Sequence, residues 1–566
     1  MAAPPASPSA NKPSPAAGPR WTPRWFRVAV PLSIAMIVYS RLPAEWLPPL
    51  MQDSAVPNIM NIAVISLLVL MWAVWLALFS EQPRRVRWWP LGTLIAGLLI
   101  ARLAVRVDEV WGGLIPYRVS WRWQPPRDYG LQSLTTNSPP KDSSSAAANP
   151  ADPFETGLLT AGDSDFPEFL GRGRLNAVDG VKLETDWNQH PPQQIWRQPV
   201  GSGWSGFAVS DGHAVTMEQR GAEEVVSCYD VESGKLIWAA AEQARHETMM
   251  GGVGPRSTPT IAHGHVYALG ATGILRCLQG RTGEVLWRVD LREKFQIPAA
   301  ADEANIAWGR SSSPLVIDDR VIVPVGGATE ASWISLVAFD ARTGAVVWQG
   351  GHHQVAYASP TLVTLAGQPQ ILTVMQDFVT AHDPATGQQL WEYPWPGSSN
   401  ANASVSQAWA VDPNRVFVSK GYGQGATLFE VSSPASSSPA SWSTSEVWAN
   451  RRIMKTKFNN PTLWNGYAYG IDDGVLCCVA LETGQAAWRK RGPGHGQLLR
   501  VGASLLVMTE DGELVLVDAS PEAYREQGRI SVFAGQKAWN NLCLYGNHLL
   551  LRTGEEAACY KLETSQ

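Results

Sequence analysis

Three apolar stretches stand out near the N-terminus of the chain. They are Val28 to Ser40, Asn58 to Ser80 and Trp88 to Val105. The middle stretch is uncharged and long enough to cross a bilayer, whereas the first is short and the third contains Arg102. This pattern predicts a membrane region over residues 24–118 with about three transmembrane helices.

The basic residues around these stretches predict their orientation. Cytoplasmic flanks of membrane helices are enriched in Lys and Arg, so the N-terminus is expected in the cytoplasm and three crossings place the body outside. We therefore expect a protein of the bacterial inner membrane with a periplasmic body. The residues concerned are Lys12, Arg20, Arg24 and Arg27 before the first stretch and Arg84, Arg85 and Arg87 after the second, with Arg41, Glu45 and Asp53 between them.

Two segments are too poor in large apolar residues to form a core. Residues 1–23 are rich in Ala, Pro and Ser and are predicted to be a disordered cytoplasmic tail. A linker is predicted over residues 119–160, where LQSLTTNSPPKDSSSAAANPAD spans 131–152. The folded body is then expected over residues 161–566.

A repeat dominates the body. Its copies share a small first residue, Gly at the seventh place and Trp at the eleventh, as expected for a strand, a tight turn and a returning strand with a large apolar side chain. A fixed spacing of about 40 to 50 residues is typical of propellers and solenoids. Each copy is predicted to close one blade of a β-propeller. The clear copies are CYDVESGKLIW (228–238), CLQGRTGEVLW (277–287), AFDARTGAVVW (338–348), AHDPATGQQLW (381–391) and CVALETGQAAW (478–488).

This motif resembles the tryptophan-docking repeat of quinoprotein dehydrogenases and of the propeller lipoprotein in the outer-membrane assembly machine. In that family the Trp packs against the neighbouring blade. The resemblance therefore implies structural docking roles for Trp238, Trp287, Trp348, Trp391 and Trp488.

Weaker copies complete the ring. IWRQPV supplies Trp196, SEVW supplies Trp448, and RISVF places Phe533 where Trp is expected. Eight closing strands predict an all-β, eight-bladed β-propeller, quinoprotein alcohol dehydrogenase-like, preceded by an N-terminal α-helical transmembrane region. The C-terminal run NHLLLRTGEEAACYKLE is expected to pair with the Trp196 strand, which would remove the free edges.

Stretches outside the motif extend the resemblance over nearly the whole chain. The chain is similar to membrane-anchored propeller proteins of this repeat type that are abundant in planctomycetes and acidobacteria. That similarity implies architecture and location but no reaction. The stretches are FPEFLGRGR, GVGPRSTPT, WGRSSSPLV, KTKFNNPTLWNG and GHGQLL.

Departures from the motif affect single turns. Gln279 and Ala480 replace the usual Asp, and VSSPASSSPAS replaces the turn before Trp448. The adjacent Cys477 and Cys478 are similar to the vicinal disulfide beside the cofactor of quinoprotein alcohol dehydrogenases. Register favours a different role, because four of the six cysteines occupy the small first motif position. These are Cys228, Cys277, Cys478 and Cys559.

Candidate binding residues come from the loops that enter the innermost strand of each blade, because these loops converge at the mouth of the central channel. Aligning the inner strands near Pro259, Pro314, Pro360 and Pro461, and stepping back three residues, gives one position per blade. The register is uncertain by one residue. The ring is Trp204, Arg256, Ser311, Tyr357, Ser406, Phe458, His495 and Trp539, with Arg310, Lys457 and Asn540 as equal candidates.

The predicted ring is aromatic and basic, which suits an anionic ligand that is flat or extended. It offers no carboxylate, whereas a quinone-dependent dehydrogenase needs an acidic base and oxygen ligands for calcium. Acidic residues are expected in hairpin turns that share this face but lie further from the axis, where such side chains serve the geometry of the turns. These are Asp472, Asp473, Glu510 and Asp511.

Overall charge and metal motifs narrow the function further. A net charge of -5 provides no basic field for nucleic acid. Neither Cys-x-x-Cys nor His-Glu-x-x-His spacing occurs, so no metal site is predicted.

Three functions remain open. The first is a membrane-anchored periplasmic propeller that binds or scaffolds a periplasmic protein or a small anionic ligand at its channel mouth, without catalysis. The second is a membrane-bound quinoprotein dehydrogenase that oxidises alcohols or sugars with pyrroloquinoline quinone and calcium. The third is a hydrolase or sugar-binding enzyme, for which no paired-carboxylate signal exists. Fold alone does not decide among them.

Overall fold

The structure is a computed structural model that describes residues 23–40, 55–111, 115–131, 153–248, 251–397, 403–433 and 442–565. Most of the predicted cytoplasmic tail, the charges Arg41, Glu45 and Asp53, and residues 132–152 of the predicted linker lie outside this range. The chain divides into two compact units, residues 1–125 and 126–566. This boundary assigns the start of the predicted linker to the first unit and the rest to the second.

The first unit contains helices at each predicted apolar stretch. They are α1 (Phe26–Tyr39), α2 (Ala55–Phe79) and α3 (Arg84–Ala104), followed by an antiparallel hairpin of strands Val105–Trp111 and Ile115–Trp121. By length and composition, Ile59–Phe79 and Arg84–Ala104 are apolar enough to cross a membrane, with mean hydropathies of 2.7 and 1.2. Helix α1 is apolar but shorter.

The second unit is an eight-bladed β-propeller, as predicted. Every blade is an antiparallel sheet whose strands follow one another outward from the channel. Blade one contains Ala208–Ser210, His213–Arg220, Glu223–Asp230 and Leu236–Gln243, and blade two contains Thr260–Ala262, His265–Leu269, Ile274–Gln279 and Val285–Asp290. Blade three contains Leu315–Ile317, Arg320–Gly326, Ile334–Asp340 and Val346–Gly350, and blade four contains Thr361–Leu365, Gln368–Val374, Phe378–His382 and Gln389–Pro394.

Blades five to eight repeat the same order. Blade five contains Trp409–Ala410, Arg415–Lys420, Gly425–Ser432 and Ser443–Asn450, and blade six contains Thr462–Trp464, Tyr467–Asp472, Val475–Ala480 and Gln485–Arg491. Blade seven contains Gln497–Val501, Ser504–Met508, Glu513–Asp518 and Glu526–Ser531, and blade eight contains Cys543–Tyr545, His548–Arg552, Glu556–Lys561 and Gln193–Pro199. Short helices α4 (Leu291–Lys294) and α5 (Ala299–Asn305) lie between blades two and three, and a small hairpin, Glu247–Thr248 with Gly252–Val253, precedes blade two.

Ring closure occurs where the sequence predicts it. Strand Glu556–Lys561 pairs antiparallel with Gln193–Pro199, and Cys559 lies opposite Trp196. Blade eight therefore takes its outer strand from the beginning of the propeller and its other strands from the end. Joining the two ends completes blade eight with its fourth strand and fastens the end of the ring to its beginning.

The repeat motif has a common geometry. Each docking Trp lies directly opposite the first motif position on the neighbouring strand, and a β-bulge follows that pair. This position holds Cys or Ala, as in Trp238 opposite Cys228 and Trp348 opposite Ala338, except that Leu428 lies opposite Trp448. Five of the indoles lie over the turn glycine of the next blade, namely those of Trp196, Trp238, Trp287, Trp348 and Trp448. For example, a Cβ built on Gly283 would lie 2.4 Å from the Trp238 ring, so only glycine fits there.

The indole nitrogens join neighbouring blades. Trp196, Trp238, Trp287, Trp348, Trp448 and Trp488 each donate to a backbone carbonyl of the next blade, at 2.7 to 3.2 Å. Trp391 differs, because its indole donates to Gln370 Oε1 of its own blade at 2.7 Å. The turn of blade five that would receive it falls within VSSPASSSPAS, of which residues 434–441 lie outside the described range.

The assignment of Phe533 to the docking position of blade seven is wrong. Strand register places Gly528 opposite Leu516, with the bulge after that pair, so Gly528 holds the docking position. Phe533 lies beyond the end of the strand. The missing side chain is supplied by Trp187, since a Cβ on Gly528 would lie 2.6 Å from Trp187 Cβ and Cγ. Trp187 is 7% exposed and belongs to the hydrophobic cluster of blades seven and eight.

The cysteines serve packing. All six are buried and unpaired. Cys477 and Cys478 alternate along strand Val475–Ala480, so they face opposite sides of the sheet and join different hydrophobic clusters. A vicinal disulfide is therefore not formed.

Residues before the first blade also pack on the propeller. Arg245 of blade one's outer loop forms an ion pair with Asp128 and lies 5.0 Å from the centre of the Tyr129 ring. Phe154 stacks on His265 of blade two with ring centres 3.9 Å apart. The short 3-10 turns in this unit are Arg127–Gly130, Pro153–Glu155, Arg172–Arg174 and Glu330–Ser332.

Candidate functional site at the channel mouth

The central channel is filled by residues 166–178, which we call the channel segment. Phe166 forms a β-bridge with Val209 of blade one, and the Pro167 carbonyl accepts from Ile261 N of blade two at 2.7 Å. At its other end, Ala177–Val178 pairs in parallel with the innermost strand of blade seven. The two ends of the segment thus contact the innermost strands of blades one, two and seven.

Arg174 anchors the middle of the channel segment. Its guanidinium donates to the carbonyls of Ser313 (3.1 Å), Pro314 and Pro360 (2.8 Å), at the innermost strands of blades three and four. Its side chain is 1% exposed and is paired with Glu168 at 2.8 Å. Burial lowers the pKa of Arg174, and the Glu168 carboxylate opposes that shift. The guanidinium therefore satisfies carbonyls that have no access to water.

Asn176 continues the same pattern. Its Nδ2 donates to Asn460 O of blade six at 3.1 Å, and its carbonyl accepts from Arg500 N of blade seven at 3.1 Å. Gln407 of blade five donates to Arg174 O at 2.6 Å. Seven blades are thus tied in order to one short piece of chain.

The channel mouth is the end of the channel at which the chain enters the innermost strand of each blade. Four of the predicted ring residues meet there in an aromatic cluster: Trp204, Phe458, His495 and Trp539. Ring centres lie 5.0 Å apart for Trp204 and Trp539, 4.4 Å for Phe458 and Trp539, and 5.4 Å for Phe458 and His495. All four side chains are partly exposed. These residues belong to blades six, seven, eight and one, which are neighbours around the ring.

Two carboxylates lie directly behind this cluster, contrary to the expectation that acidic groups are remote from the ring. Asp473 Oδ1 is 2.9 Å from Lys457 Nζ and 3.7 Å from His495 Nε2. Glu510 accepts from the Trp539 indole at 2.9 Å and from His495 N at 2.9 Å. The charge of Lys457 is thereby balanced, which makes the mouth less basic than the sequence predicts.

Other predicted ring residues border the cluster. Arg256 donates to the Gly251 carbonyl at 2.5 Å, and the same carbonyl accepts from the Trp204 indole at 2.7 Å. Burial lowers the pKa of Arg256 to about 10. Tyr357 is 4% exposed and stacks on Trp308 with ring centres 5.2 Å apart.

The remaining predicted residues are held within the protein. Arg310 is 2% exposed and forms an ion pair with Asp302 at 2.7 Å. Asn540 donates to Ser205 O at 2.8 Å and joins blade eight to blade one. The Ser406 hydroxyl donates to Asn459 O at 2.6 Å, and the Ser311 hydroxyl to Tyr357 O at 3.1 Å. These side chains position the loops of the mouth instead of forming its surface.

The family model described as outer membrane protein assembly factor BamB matches residues 187–292 and 222–490, more than half of the chain. The chain belongs to the BamB-like family. A curated relative, the outer membrane protein assembly factor BamB of Shewanella oneidensis, is 22% identical over 301 residues, covering 50% of this chain and 72% of the relative.

Two solved structures are similar to this BamB-like propeller at low identity. BamB from Moraxella catarrhalis is 16% identical, with 65% of this chain and 99% of that chain covered and a TM-score of 0.45. The quinohemoprotein alcohol dehydrogenase from Comamonas testosteroni is 15% identical, with coverages of 70% and 80% and a TM-score of 0.47.

Three features of this BamB-like propeller bear on the quinone cofactor that the dehydrogenase hypothesis requires. The channel holds the buried side chains of Arg174 and Asn176, which donate to backbone carbonyls of neighbouring blades. Cys477 and Cys478 face opposite sides of their sheet. At the mouth, Asp473 and Glu510 are engaged by Lys457 and Trp539.

Sequence reasoning missed several residues of the BamB-like mouth. Trp308 stacks beside Tyr357, and Lys537 Nζ lies 4.4 Å from the centre of the Trp539 ring. Asp473 lies in the turn Asp472–Asp473–Gly474 of blade six, and Glu510 lies in the corresponding turn Glu510–Asp511–Gly512 of blade seven. The recurrence of this acidic turn in neighbouring blades was the signal that could have brought both residues to the mouth.

Proposed function

We propose that this chain is a membrane-anchored propeller that binds a protein partner through the aromatic cluster at its channel mouth. The observation that carries the proposal is the cluster itself: Trp204, Phe458, His495 and Trp539 form a continuous, partly exposed surface across four blades. Exposed aromatic surface of this kind is typical of protein interfaces, where Trp and Tyr contribute most of the binding energy.

The closed channel favours a protein partner over a small ligand. The channel segment places the buried Arg174 and Asn176 between the blades, where a small ligand would have to enter the channel. Small ligands usually require a deep concave pocket, whereas a protein segment can cover a shallow one. The pairing of Lys457 with Asp473 also reduces the attraction for a free anion.

Family membership supports a role in outer-membrane protein assembly, the process named for its relatives. A partner from that process lies in the periplasm. Three crossings by α1, α2 and α3, with basic residues before α1 and at the start of α3, would give an inner-membrane anchor with a cytoplasmic N-terminus and a periplasmic propeller. Protease added to spheroplasts should digest the propeller, and protection of the propeller would reverse this orientation.

The proposal is tested by crosslinking in intact cells that carry the full-length chain. Partners captured by the wild type are identified by mass spectrometry and compared with those of Trp539→Ala and Phe458→Ala. Loss of one central aromatic anchor should weaken binding of the partner by about 30-fold or more, because such anchors contribute about 2 kcal/mol or more to the binding free energy. Outer-membrane assembly proteins or their substrates should be the ones lost.

A matched control lies on the opposite face. Trp464 ends the innermost strand of blade six, whereas Phe458 precedes it, so the two aromatics belong to the same blade but opposite ends of the channel. Trp464→Ala should leave capture unchanged. Equal capture by all three variants, with unaltered thermal midpoints, would remove the mouth as the binding surface.

A further inference from the structure

Two histidines and a glutamate come together at the junction of blades three and four. His352 and His353 follow the outer strand Val346–Gly350 of blade three, and Glu392 lies in the outer strand Gln389–Pro394 of blade four. One ligand atom from each residue lies within 4.8 Å of the other two. Their separation in sequence explains why motif spacing predicted no metal site.

The distances within this cluster suit a metal ion. His353 Nε2 lies 2.9 Å from Glu392 Oε2, and the rings of His352 and His353 are centred 4.4 Å apart. Metal bonds of about 2.0 to 2.2 Å in tetrahedral geometry separate neighbouring donors by about 3.3 Å. The His353–Glu392 pair is already near that spacing, and a ring nitrogen of His352 lies within 4.8 Å of both.

Neighbouring groups hold His353 and Glu392 in place. His353 is 8% exposed, its backbone N donates to Ser335 Oγ at 2.9 Å, and its ring lies 4.4 Å from the Phe378 ring centre. Gln389 Nε2 donates to Glu392 Oε2 at 2.8 Å. Such supporting contacts orient ligands and strengthen metal binding.

We propose that His352, His353 and Glu392 bind one divalent transition-metal ion of the zinc class. Two imidazoles and one carboxylate are the donors that such ions prefer, whereas calcium and magnesium prefer oxygen alone. His352 and Glu392 are exposed, so one coordination position faces solvent. The ion would join the loop after blade three to the outer strand of blade four, and the site is independent of the proposed mouth.

The test uses the full-length chain in detergent, purified with a tag that contains no histidine, and titrated with Co²⁺ and then Zn²⁺. We expect a visible absorption band that saturates at one Co²⁺ per chain and disappears when Zn²⁺ displaces it. The thermal midpoint should rise with Zn²⁺, because an ion that binds only the folded state stabilises it.

Variants locate the site. His353→Gln and Glu392→Gln should each weaken Co²⁺ binding by about tenfold or more. Glu392 is exposed, so its variant remains informative if His353→Gln does not fold. His190 provides the matched control, because it forms a simple pair of one histidine and one carboxylate with Glu563 at 2.7 Å. Absence of a saturable Co²⁺ band in the wild type would overturn the proposal. So would a band that both ligand variants retain, or a band that disappears in His190→Gln.

Discussion

At the scale of single residues, blade seven shows how a repeat can lose its central side chain and keep its packing. Gly528 occupies the position of the docking tryptophan, and Trp187 enters the vacated space from a segment that precedes the propeller in sequence. A large apolar group is required between adjacent blades, but the strand that supplies it is not fixed. The covalent position of the indole matters less than the volume that it fills.

This exchange predicts strong coupling between the two positions. Trp187→Gly should destabilise the propeller by about 3–5 kcal/mol, as expected for removal of a buried Trp. Gly528→Trp should destabilise it by overpacking, because the new Cβ would meet Trp187. The double variant Trp187→Gly with Gly528→Trp should recover part of the lost stability, because the indole at position 528 refills the space that Trp187 leaves. Thermal unfolding of the four proteins measures the coupling, and additive effects would contradict it.

Buried histidines predict a loss of stability in acid. Burial lowers the pKa of His382 to about 4, and His246 shifts likewise. Below the unfolded pKa of about 6.5 the unfolded chain binds protons that the folded chain does not, so stability should fall from about pH 6.5 to about pH 4.

The urea midpoint of unfolding, measured across this range, tests the prediction. His382 also bonds with the Gly387 carbonyl at 3.1 Å, an interaction that Gln can replace. His382→Gln should therefore flatten the pH dependence. An unchanged dependence in this variant would show that His382 does not carry it.

Counting positions within a blade gave the sequence-based assignment of the docking tryptophans and of the mouth residues. The structure brings four of the predicted mouth residues together in the aromatic cluster. Arg310 illustrates the limit of that counting, because one residue of register separates a mouth position from a buried ion pair with Asp302. Asp473 and Glu510 were missed because turn-forming acidic residues look alike whether or not they contact a neighbour.

At the scale of elements, the channel segment has no regular structure of its own for most of its length. Leu170, Arg174 and Asn176 adopt positive φ values of 63°, 59° and 52°, which side chains other than glycine rarely adopt. The bonds to seven blades hold this backbone in place. Hydrophobic periodicity could not reveal it, because the segment has no period; its only signal was the irregular GRGR run.

Loss of the Arg174 guanidinium should destabilise the propeller. Arg174→Met keeps the aliphatic stem but leaves buried carbonyls of blades three and four without donors, so the free energy of unfolding should fall by about 3 kcal/mol or more. Arg172→Met is the matched control, since Arg172 is exposed two residues earlier. Thermal unfolding and proteolysis of the segment measure the effect. Equal stability of the two variants would contradict the anchoring role.

At the scale of the whole molecule, the eight-bladed ring and its closure were predicted because each blade repeats the same local signal. The contents of the channel were not, since they depend on a single segment that no repeat announces. The proposed function depends on this level: we propose the partly exposed aromatic mouth as a protein-binding surface above a channel that contains the channel segment.

That central claim is tested most directly by photocrosslinking in living cells. A benzophenone amino acid is placed at position 458 or 539 of the mouth, or at position 464 on the opposite face. We predict that light produces a discrete crosslinked product from positions 458 and 539 and none from position 464. Products from position 464 alone, or equally from both faces, would contradict binding at the channel mouth.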